Sequence, residues 1–302
     1  MRTIRVRVPC STSNLGAGFD CIGLALDRYL TATLHVSDAP LQIERSGTLA
    51  SLTENVADDL LTRALRAQQV EARGRLELHS DIPVGRGLGS SAAATVAGIM
   101  LALAVKHTHA EREVVAAQAA SLEGHPDNAV PSTFGGLMAA ITEAGGGVET
   151  VRIHRLRLSE QIRFVFAAPQ AVVATKAARR ALPEQIAHTA ATRTVARAVA
   201  LLQGLAEADP ELLRIGFTDE LHVPYRLPMI PGGAQALSAA SAAGAYAATI
   251  SGSGSGLIAA CPRAAERAVS DAMRNAFEQA TAAPAIGFTA EPDLDGAQYL
   301  ET

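Results

Sequence analysis

The sequence predicts a protein of two layers that mixes strands and helices, of the α/β or α+β class. Segments with alternating apolar residues, which are typical of half-buried strands, occur in both halves of the chain. Segments with helical apolar spacing lie between them, and this mixture indicates strands and helices packed as layers. The length of 302 residues favours two domains or one large domain, and 48% hydrophobic residues suffice for a packed core.

The elements of the N-terminal half begin with a strand over residues 4–8, in which apolar residues alternate with arginines, and we expect Pro9 to end it. A polar loop is expected over residues 10–20, followed by an apolar segment up to Leu30. The next predicted elements are a strand at 31–36, a helix within 55–73 that Gly74 ends, a strand at 75–79, helices from about Ser91 to Lys106 and from about Glu111 to Glu123, and a turn at 125–128.

The C-terminal half also alternates strands with helices. Strands are predicted at 151–157, 163–168, 245–250, 257–261, near 285–289 and near 297–300. Helices are predicted near 175–182, 184–206 and 234–243 and from about Arg263 to Gln279. The glycine triplet at 145–147 is the predicted boundary between domains of residues 1–150 and 151–302, and we expect strands to cross close to it.

Composition excludes several classes of protein. A formal charge of −4 lacks the basic character of a nucleic-acid binder, and 4% aromatic residues argue against base stacking. The longest apolar run, residues 92–105, is shorter than the about 20 residues that span a bilayer. The three cysteines have neither metal-ligand spacing nor the number that a disulfide framework needs. We therefore expect a cytoplasmic protein that has no nucleic-acid or membrane partner.

Residues 83–93, PVGRGLGSSAA, connect a predicted strand to an unbroken predicted helix. Glycines at 85, 87 and 89 permit positive φ and let a ligand approach the backbone closely. The free N–H groups and the positive dipole end of the helix would face this loop. Ser90 and Ser91 add hydroxyl groups for phosphate or for a metal that phosphate holds. We interpret the segment as a phosphate-binding loop rather than a serine-capped turn, although it matches neither the Walker loop nor the dinucleotide fingerprint.

A second informative segment, PCSTSNLGAGFD, covers residues 9–20. Its small residues, together with Asn14 and Asp20, follow a predicted strand and would suit a polar binding loop. Taken by itself, the segment fits an ordinary connection with an aspartate cap equally well.

Four segments occur in the order and spacing of the GHMP small-molecule kinases: PCSTSNLGAGFDCIGLAL from Pro9, PVGRGLGSSAAA from Pro83, LEGHPDNAVPSTFGGL from Leu122 and TISGSGSGLIAACP from Thr249. Within that superfamily the chain most resembles the homoserine kinase family, to which EGHPDN followed by a proline and a glycine pair is more specific. The resemblance implies an α+β fold, with an N-terminal domain like ribosomal protein S5 domain 2 and a ferredoxin-like C-terminal domain. The chain departs from the family pattern at Cys10 and Ala17, which replace alanine and proline, and at Ser255-Gly256, which replace Pro-Thr.

The resemblance implies an enzyme that uses ATP and Mg²⁺ to phosphorylate the side-chain hydroxyl of L-homoserine, a step of threonine biosynthesis. The expected ATP-binding residues are Pro83, Val84, Gly85, Arg86, Gly87, Leu88, Gly89, Ser90, Ser91, Ala92 and Ala93. Mg²⁺ prefers oxygen ligands beside phosphates, and the resemblance assigns Ser91 and Glu123 to it. Relatives are often dimers, so the resemblance also allows a homodimer.

Homoserine is a zwitterion, so its site needs an anion for the ammonium group and cations for the carboxylate. Asp20 can supply the first, and Arg179 and Arg226, in segments resembling those of the family, can supply the second because guanidinium binds carboxylate bidentately. The resemblance completes the substrate pocket with Asn14, His125, Asn128, Thr175 and Gly254.

The resemblance also bears on catalysis, because many GHMP kinases have an aspartate base where this chain has Asn128. An amide cannot accept a proton at neutral pH. We therefore hypothesise that Asp20 and Asn128 are the catalytic residues, that they orient the hydroxyl, and that its proton passes to a phosphate oxygen.

Some alternatives stay open at this point. Asn55 and Asp59 both lie where the family often contacts adenine, and both equally suit a helix start. The chain could also be another GHMP kinase, acting on an alcohol such as mevalonate or shikimate, or a non-catalytic relative that binds ligand as a sensor.

Overall fold

The computed structural model describes residues 2–145 and 148–301, and in these residues it contains one sheet of seven strands and one of four. The strands are β1 (Arg2–Asn14), β2 (Gly18–Val36), β3 (Gln42–Gly47), β4 (Gly74–Ser80), β5 (Leu137–Gly145), β6 (Val148–Arg155), β7 (Ile162–Ala168), β8 (Ala247–Ile250), β9 (Leu257–Pro262), β10 (Ile286–Ala290) and β11 (Gln298–Leu300). The helices are α1 (Leu60–Ala67), α2 (Ser90–Val105), α3 (Arg112–Glu123), α4 (Ala129–Phe134), α5 (Thr175–Arg180), α6 (His188–Glu207), α7 (Pro210–Gly216), α8 (Val223–Arg226), α9 (Gly233–Ala242) and α10 (Glu266–Thr281). The predicted α+β class is therefore confirmed.

The first sheet has the order β11-β1-β2-β4-β3, and β5 joins it by pairing with both β2 and β6. Helix α2 packs against β1 and β2 and lies between α1 and α3. Because α2 is apolar around most of its circumference, it can be buried in this position, and most of its residues are. The sheet thereby fixes the position of the N-terminal end of α2, which directly follows the glycine-rich loop.

The second sheet has the order β10-β7-β9-β8 and packs against α9 and α10. Strand β7 is buried on both faces, as the alternation of its side chains requires. Phe164 and Phe166 contact the core shared with the N-terminal half, whereas Val165 and Ala167 contact the core beneath α9 and α10. This strand therefore connects the two layers of hydrophobic packing.

Strands join the two predicted domains in two places. Strand β6 pairs with β5, and β11 returns from the C-terminal end of the chain to pair with β1. The glycine triplet at 145–147 lies partly outside the described residues, since 146 and 147 are not described. The division into residues 1–150 and 151–302 stays a prediction.

The prediction that Pro9 ends the first strand is wrong, because β1 continues to Asn14. The register between β1 and β2 shifts between Pro9 and Cys10, so the missing N–H of the proline falls at an irregularity that tolerates it. Residues 10–20 consequently form the ends of two strands, joined by a turn at 15–17, rather than one long loop. The polar side chains of Ser11, Thr12, Ser13 and Asn14 are buried and project from strand β1 of the sheet.

Helix α1 is shorter than the predicted 55–73. Asp59 caps its N-terminus by accepting hydrogen bonds from the backbone N–H groups of Leu61 and Thr62, and Gln69 has φ +56 just beyond its C-terminus. Gly74 begins β4 and does not end the helix. The sequence patterns did not predict β3, α4, β5, α7 or α8.

Within residues 2–145 and 148–301, no helix has the length and apolar character needed to cross a membrane. Cys10, Cys21 and Cys261 are all free thiols.

Candidate active site

A cleft of about 260 Å³ is lined by residues from both halves of the chain. It brings together most of the site residues predicted from the sequence: Asn14, Asp20, Val84, Gly85, Gly87, Gly89, Ser90, Ser91, His125, Asn128, Thr175, Arg179, Arg226 and Gly254. The remaining predicted residues do not line it: Pro83, Arg86, Leu88, Ala92, Ala93 and Glu123. The side chains of Leu88, Ala92 and Ala93 are buried in the core, and Arg86 donates a hydrogen bond to the backbone oxygen of Ala171.

The glycine-rich loop presents backbone N–H groups to the cleft. Gly89 precedes α2 with φ +61, and no side chain of the described residues caps the helix, so the N–H groups of its first turn are available to an anion. Gly87 has φ +80, and a Cβ atom there would lie 2.0 Å from the backbone oxygen of Ser251. The side chain of Ser251 in turn donates to the backbone oxygen of Gly87 at 2.7 Å. The loop is therefore held in shape by its contact with the glycine-serine segment at 251–256.

Glu123 lies behind the glycine-rich loop, at the C-terminal end of α3. Its carboxylate accepts hydrogen bonds from the Ser91 hydroxyl at 2.6 Å and from the Thr95 hydroxyl at 2.7 Å. Ser91 and Glu123 are thus adjacent oxygen donors, as a Mg²⁺ site requires. The described residues contain no cluster of three or more histidine, cysteine, aspartate or glutamate side chains that could hold a metal. The two residues fit Mg²⁺ that is held jointly with nucleotide phosphates, the usual arrangement for this ion.

Asp20 and Arg179 form a bidentate ion pair across the cleft. Both N–O distances are 2.9 Å, and both side chains are about a third exposed, 35% and 38%. Asp20 has φ +53, and its backbone N–H donates to Oδ1 of Asn14 at 2.9 Å. The hydrogen bond to Asp20 raises the pKa of Arg179. The pair therefore places a fixed negative and a fixed positive group side by side at one end of the cleft.

Arg226 lies at the same end of the cleft and is buried, with a fractional exposure of 2%. Its guanidinium donates to the backbone oxygens of Ala178 at 3.4 Å and of Gly252 at 3.2 Å. Burial lowers its pKa. No carboxylate in the described part of the chain lies within ion-pair distance of it. Since a buried cation is stabilised by an anion, Arg226 is well suited to hold a carboxylate group of a ligand.

His125, Asp127 and Asn128 also line the cleft and form one hydrogen-bonded network. Nδ1 of His125 lies 2.6 Å from a carboxylate oxygen of Asp127. Although burial alone lowers the pKa of His125, the hydrogen bond and negative charge of Asp127 raise it above the usual value. Burial raises the pKa of Asp127, but its hydrogen bond from His125 outweighs this and lowers it. The pair therefore favours protonated His125 and ionised Asp127.

The amide of Asn128 is held at both ends. Its oxygen accepts from the Ser11 hydroxyl at 3.0 Å, and its nitrogen donates to the Ser13 hydroxyl at 2.9 Å. Ser11 and Ser13 can act together because residues two apart on a strand share a face. Thr12 points to the opposite face and contacts Ser251 at 2.9 Å. This fixes the orientation of the Asn128 amide beside the glycine-rich loop.

Several residues that line the cleft were not predicted from the sequence: Ser13, Leu60, Asp127, Val173, Gly252 and Ser253. Asp127 stands inside the EGHPDN segment, so the resemblance pointed to it. Ser13 was assigned to a loop, and recognising the continued strand would have placed it on the same face as Ser11.

A second cavity of about 300 Å³ adjoins the cleft and shares Leu60, Val84 and Ser90 with it. Six of its fourteen lining residues are leucines, Leu30, Leu49, Leu52, Leu60, Leu61 and Leu78, and four are charged, Arg45, Glu54, Asp58 and Asp59. Of the two residues considered for adenine contact, Asp59 borders this cavity, and its carboxylate caps α1 and binds Arg45 at 2.7 Å. Asn55 does not border it and instead accepts hydrogen bonds from the backbone of Ala57 and Asp58.

The fold and the cleft define a class of protein, and comparison with family models identifies it. Residues 51–136 match the GHMP kinases N terminal domain, and residues 201–279 match the GHMP kinases C terminal. Curated homoserine kinases extend the match to almost the whole chain. That of Moorella thermoacetica is 40% identical over 90% of this chain and 92% of its own. That of Synechococcus sp. strain RCC307 is 37% identical over 92% of this chain and 90% of its own. The chain belongs to the homoserine kinase family of GHMP kinases.

Solved structures agree with this assignment. The crystal structure of homoserine kinase from Cytophaga hutchinsonii superimposes with a TM-score of 0.85 at 26% identity, covering 99% of this chain and 98% of that one. A mevalonate kinase from L. major shares the fold at 13% identity with a TM-score of 0.69, over 94% of this chain and 95% of its own. The resemblance recognised in the sequence, and the fold that it implied, are confirmed.

Proposed function

We propose that this chain transfers the γ-phosphoryl group of ATP to the side-chain hydroxyl of L-homoserine, giving O-phospho-L-homoserine for threonine biosynthesis. The observation that carries the proposal is the charge arrangement at one end of the cleft. There Asp20, Arg179 and Arg226 provide one anion and two cations, next to a loop suited to phosphate. A zwitterionic amino acid with a reactive hydroxyl matches this arrangement, whereas mevalonate and shikimate carry no ammonium group. The names of the curated relatives support the same substrate.

The phosphates of ATP bind the free N–H groups at the start of α2 and the backbone of the glycine-rich loop. The cavity that adjoins the loop accommodates the flat adenine ring between its leucine side chains, with polar groups at its border. Mg²⁺, when bound, neutralises charge on the phosphates, and Ser91 and Glu123 hold it. Phosphoryl transfer depends mainly on such positioning and on charge neutralisation.

The carboxylate of homoserine binds Arg226 and the exposed face of Arg179, and its ammonium group shares the Asp20 carboxylate with Arg179. Asn14, Thr175 and Gly254 shape this end of the pocket. The substrate hydroxyl is thereby directed toward the glycine-rich loop, beside His125 and Asn128.

No strong side-chain base is needed in this arrangement. The Asn128 amide is bonded by Ser11 and Ser13 and cannot accept a proton. Both oxygens of Asp20 accept hydrogen bonds from Arg179, so the carboxylate is already engaged by a guanidinium. The side chains of Asp20 and Asn128 orient the hydroxyl, and its proton passes to a phosphate oxygen as transfer proceeds.

The direct test measures ADP release with Mg-ATP against homoserine, serine, threonine, mevalonate and shikimate. We expect turnover with homoserine to exceed that with every other alcohol. A preference for mevalonate or shikimate would show that the chain is a GHMP kinase that acts on that alcohol and not on homoserine. ATP binding without turnover of any alcohol would identify a non-catalytic relative.

Two further parts of the proposal, a cytoplasmic location and a homodimer, follow from composition and resemblance. Light scattering after size-exclusion chromatography tests the homodimer.

A further inference from the structure

Phe19 lies between two side chains of the C-terminal half. The ring of His222 stacks on it, with 4.9 Å between ring centroids and 20° between planes. The guanidinium of Arg226 lies 5.1 Å from the centroid of the same ring. Phe19 directly precedes Asp20 in β2. It therefore forms one direct contact between the strand that carries Asp20 and the helix that carries Arg226.

His222 has no exposed surface and makes a second contact with the N-terminal half. Its Nε2 atom lies 3.3 Å from the backbone oxygen of Gly16, in the turn between β1 and β2. Since a carbonyl oxygen only accepts, Nε2 carries the hydrogen in this contact, while the buried Nδ1 atom has no hydrogen-bond partner among the described residues. This turn connects Asn14 to Asp20, so His222 holds it from one side.

Burial keeps the ring of His222 neutral, although its Nε2 atom lies 3.7 Å from the Asp219 carboxylate. Burial lowers the pKa of His222 to about 4, with the charge of Asp219 opposing the shift and that of Arg226 adding to it. Asp20 is a more distant charge that also opposes the shift. A neutral ring can stack on Phe19 beside a guanidinium without placing a second cation there.

Asp219 fixes the segment from which His222 projects. Its carboxylate accepts hydrogen bonds from the backbone N–H groups of Leu221 at 3.0 Å, His222 at 2.6 Å and Val223 at 2.8 Å. Helix α8 begins at Val223 and ends at Arg226. The position of His222 is thus rigidly related to that of Arg226, four residues further on.

We infer that His222 is a positioning residue for the amino-acid end of the cleft. Its stacking on Phe19 and its hydrogen bond to Gly16 hold the turn at 15–17 against α8, so that Asp20 and Arg226 face the same space. The inference rests on the proposed function, because the ligand whose two charged ends these residues hold is homoserine. His222 does not line the cleft and acts only through Phe19 and Gly16.

Three variants separate the two contacts of His222. His222→Ala removes both, and we expect it to raise KM for homoserine about tenfold or more while KM for ATP changes by less than about twofold. His222→Phe keeps the stacking and removes the donor, whereas His222→Gln keeps a donor and removes the stacking. Each should raise KM for homoserine less than His222→Ala does. Steady-state kinetics with each substrate varied in turn supplies the readout, and thermal unfolding verifies that each variant is folded.

The turn has an anchor that these variants leave in place, because the N–H of Ala17 donates to the backbone oxygen of Gly216 at 3.0 Å. Should His222→Ala nevertheless fail to fold, His222→Gln, whose side chain is close to histidine in volume, and His222→Phe still give the measurement. Phe277→Leu is the matched control, since Phe277 is fully buried in the core beneath α9 and α10 and does not line the cleft. It should lower the thermal midpoint without a selective effect on KM for homoserine.

Equal increases in both KM values, or an unchanged KM for homoserine in all three variants, would overturn the inference while the wild type still phosphorylates homoserine. Absence of homoserine turnover by the wild type would instead overturn the proposed function, and this inference with it.

Discussion

The carboxylate of Asp20 and the guanidinium of Arg179 bind each other in a bidentate ion pair that joins strand β2 to helix α5, with both N–O distances at 2.9 Å. The two groups are the complements of an ammonium and a carboxylate group. Their bidentate contact therefore holds the two groups aligned for a zwitterionic ligand. Arg226, which has no carboxylate partner among the described residues, is a second cation of the cleft.

Replacement of Arg179 tests the role of this pair. Arg179→Met should raise KM for homoserine about 10- to 100-fold, because a charge-assisted bidentate contact contributes about 1.5–3 kcal/mol. Arg179→Lys should recover little of the loss, since an ammonium group cannot reproduce the planar fork. Arg193→Met is the matched control, because Arg193, on α6, binds Glu220 bidentately at 2.8 and 2.6 Å and neither residue lines the cleft. A normal KM for homoserine in Arg179→Met would remove Arg179 from the substrate pocket.

The pair of His125 and Asp127 predicts a pH-dependent contribution to stability. The raised pKa of His125 means that its contribution is fully present below the ordinary value of 6.5 and is lost as pH rises through the folded-state pKa. The lowered pKa of Asp127 means that its contribution is present above the ordinary value of 3.8 and is lost as pH falls through the folded-state pKa. Both contributions are present together between these two ordinary values.

Urea unfolding of the wild type and of Asp127→Asn, at several pH values on both sides of 6.5, measures this dependence. The difference in free energy of unfolding should be largest on the acid side and should decrease as pH rises. Asp81→Asn serves as the control, because Asp81 and His79 form a longer, exposed contact of 3.5 Å that contributes little. A difference that stays constant across this range would show that the pair does not have its charged form favoured.

The glycine-rich loop predicts which glycines cannot be replaced. Gly87→Ala should greatly reduce ATP affinity and stability, since the added Cβ would lie 2.0 Å from the backbone oxygen of Ser251 and φ is +80. Gly124 has a similar φ of +82, but a Cβ there meets nothing within 4 Å. Gly124→Ala should therefore cost only the backbone strain, about 1 kcal/mol. Nucleotide titration and thermal unfolding of both variants separate the effect of the steric contact from the effect of the positive φ. Equal losses of ATP affinity and stability in the two variants would show that the close approach of Gly87 to Ser251 is unimportant.

The contact between Ser91 and Glu123 predicts a metal-dependent phenotype. Glu123→Gln should lower kcat and raise the Mg²⁺ concentration needed for half-maximal activity, because an amide is a weaker ligand and a different hydrogen-bond partner for Ser91. Thr95→Val should have a smaller effect, since it removes one hydrogen bond that orients Glu123. Glu113→Gln, at the opposite end of α3, is the control. An unchanged Mg²⁺ dependence in Glu123→Gln would assign Glu123 a purely structural role.

Sequence patterns located most regular elements but misjudged those whose limits depend on neighbours. Strand β7 and helices α2, α3 and α9 lie close to their predicted positions, because each carries a local apolar pattern. The predicted end of strand β1 at Pro9 is too early, because the sequence does not show that the register between β1 and β2 shifts there. Helices α7 and α8 are too short for a periodic pattern to be visible.

The sequence by itself determined the chemistry of the site: a glycine-rich loop before a helix, one aspartate and two arginines in segments that resemble a kinase family. Local segments carry this information because the free N–H groups of a helix start depend only on nearby residues. The tertiary structure decided which of these groups meet. The pairing of Asp20 with Arg179, the bonding of Asn128 by Ser11 and Ser13, and the stacking of His222 on Phe19 join residues far apart in the chain. Such contacts arise only when the sheets and helices pack, because packing alone sets the distances between them.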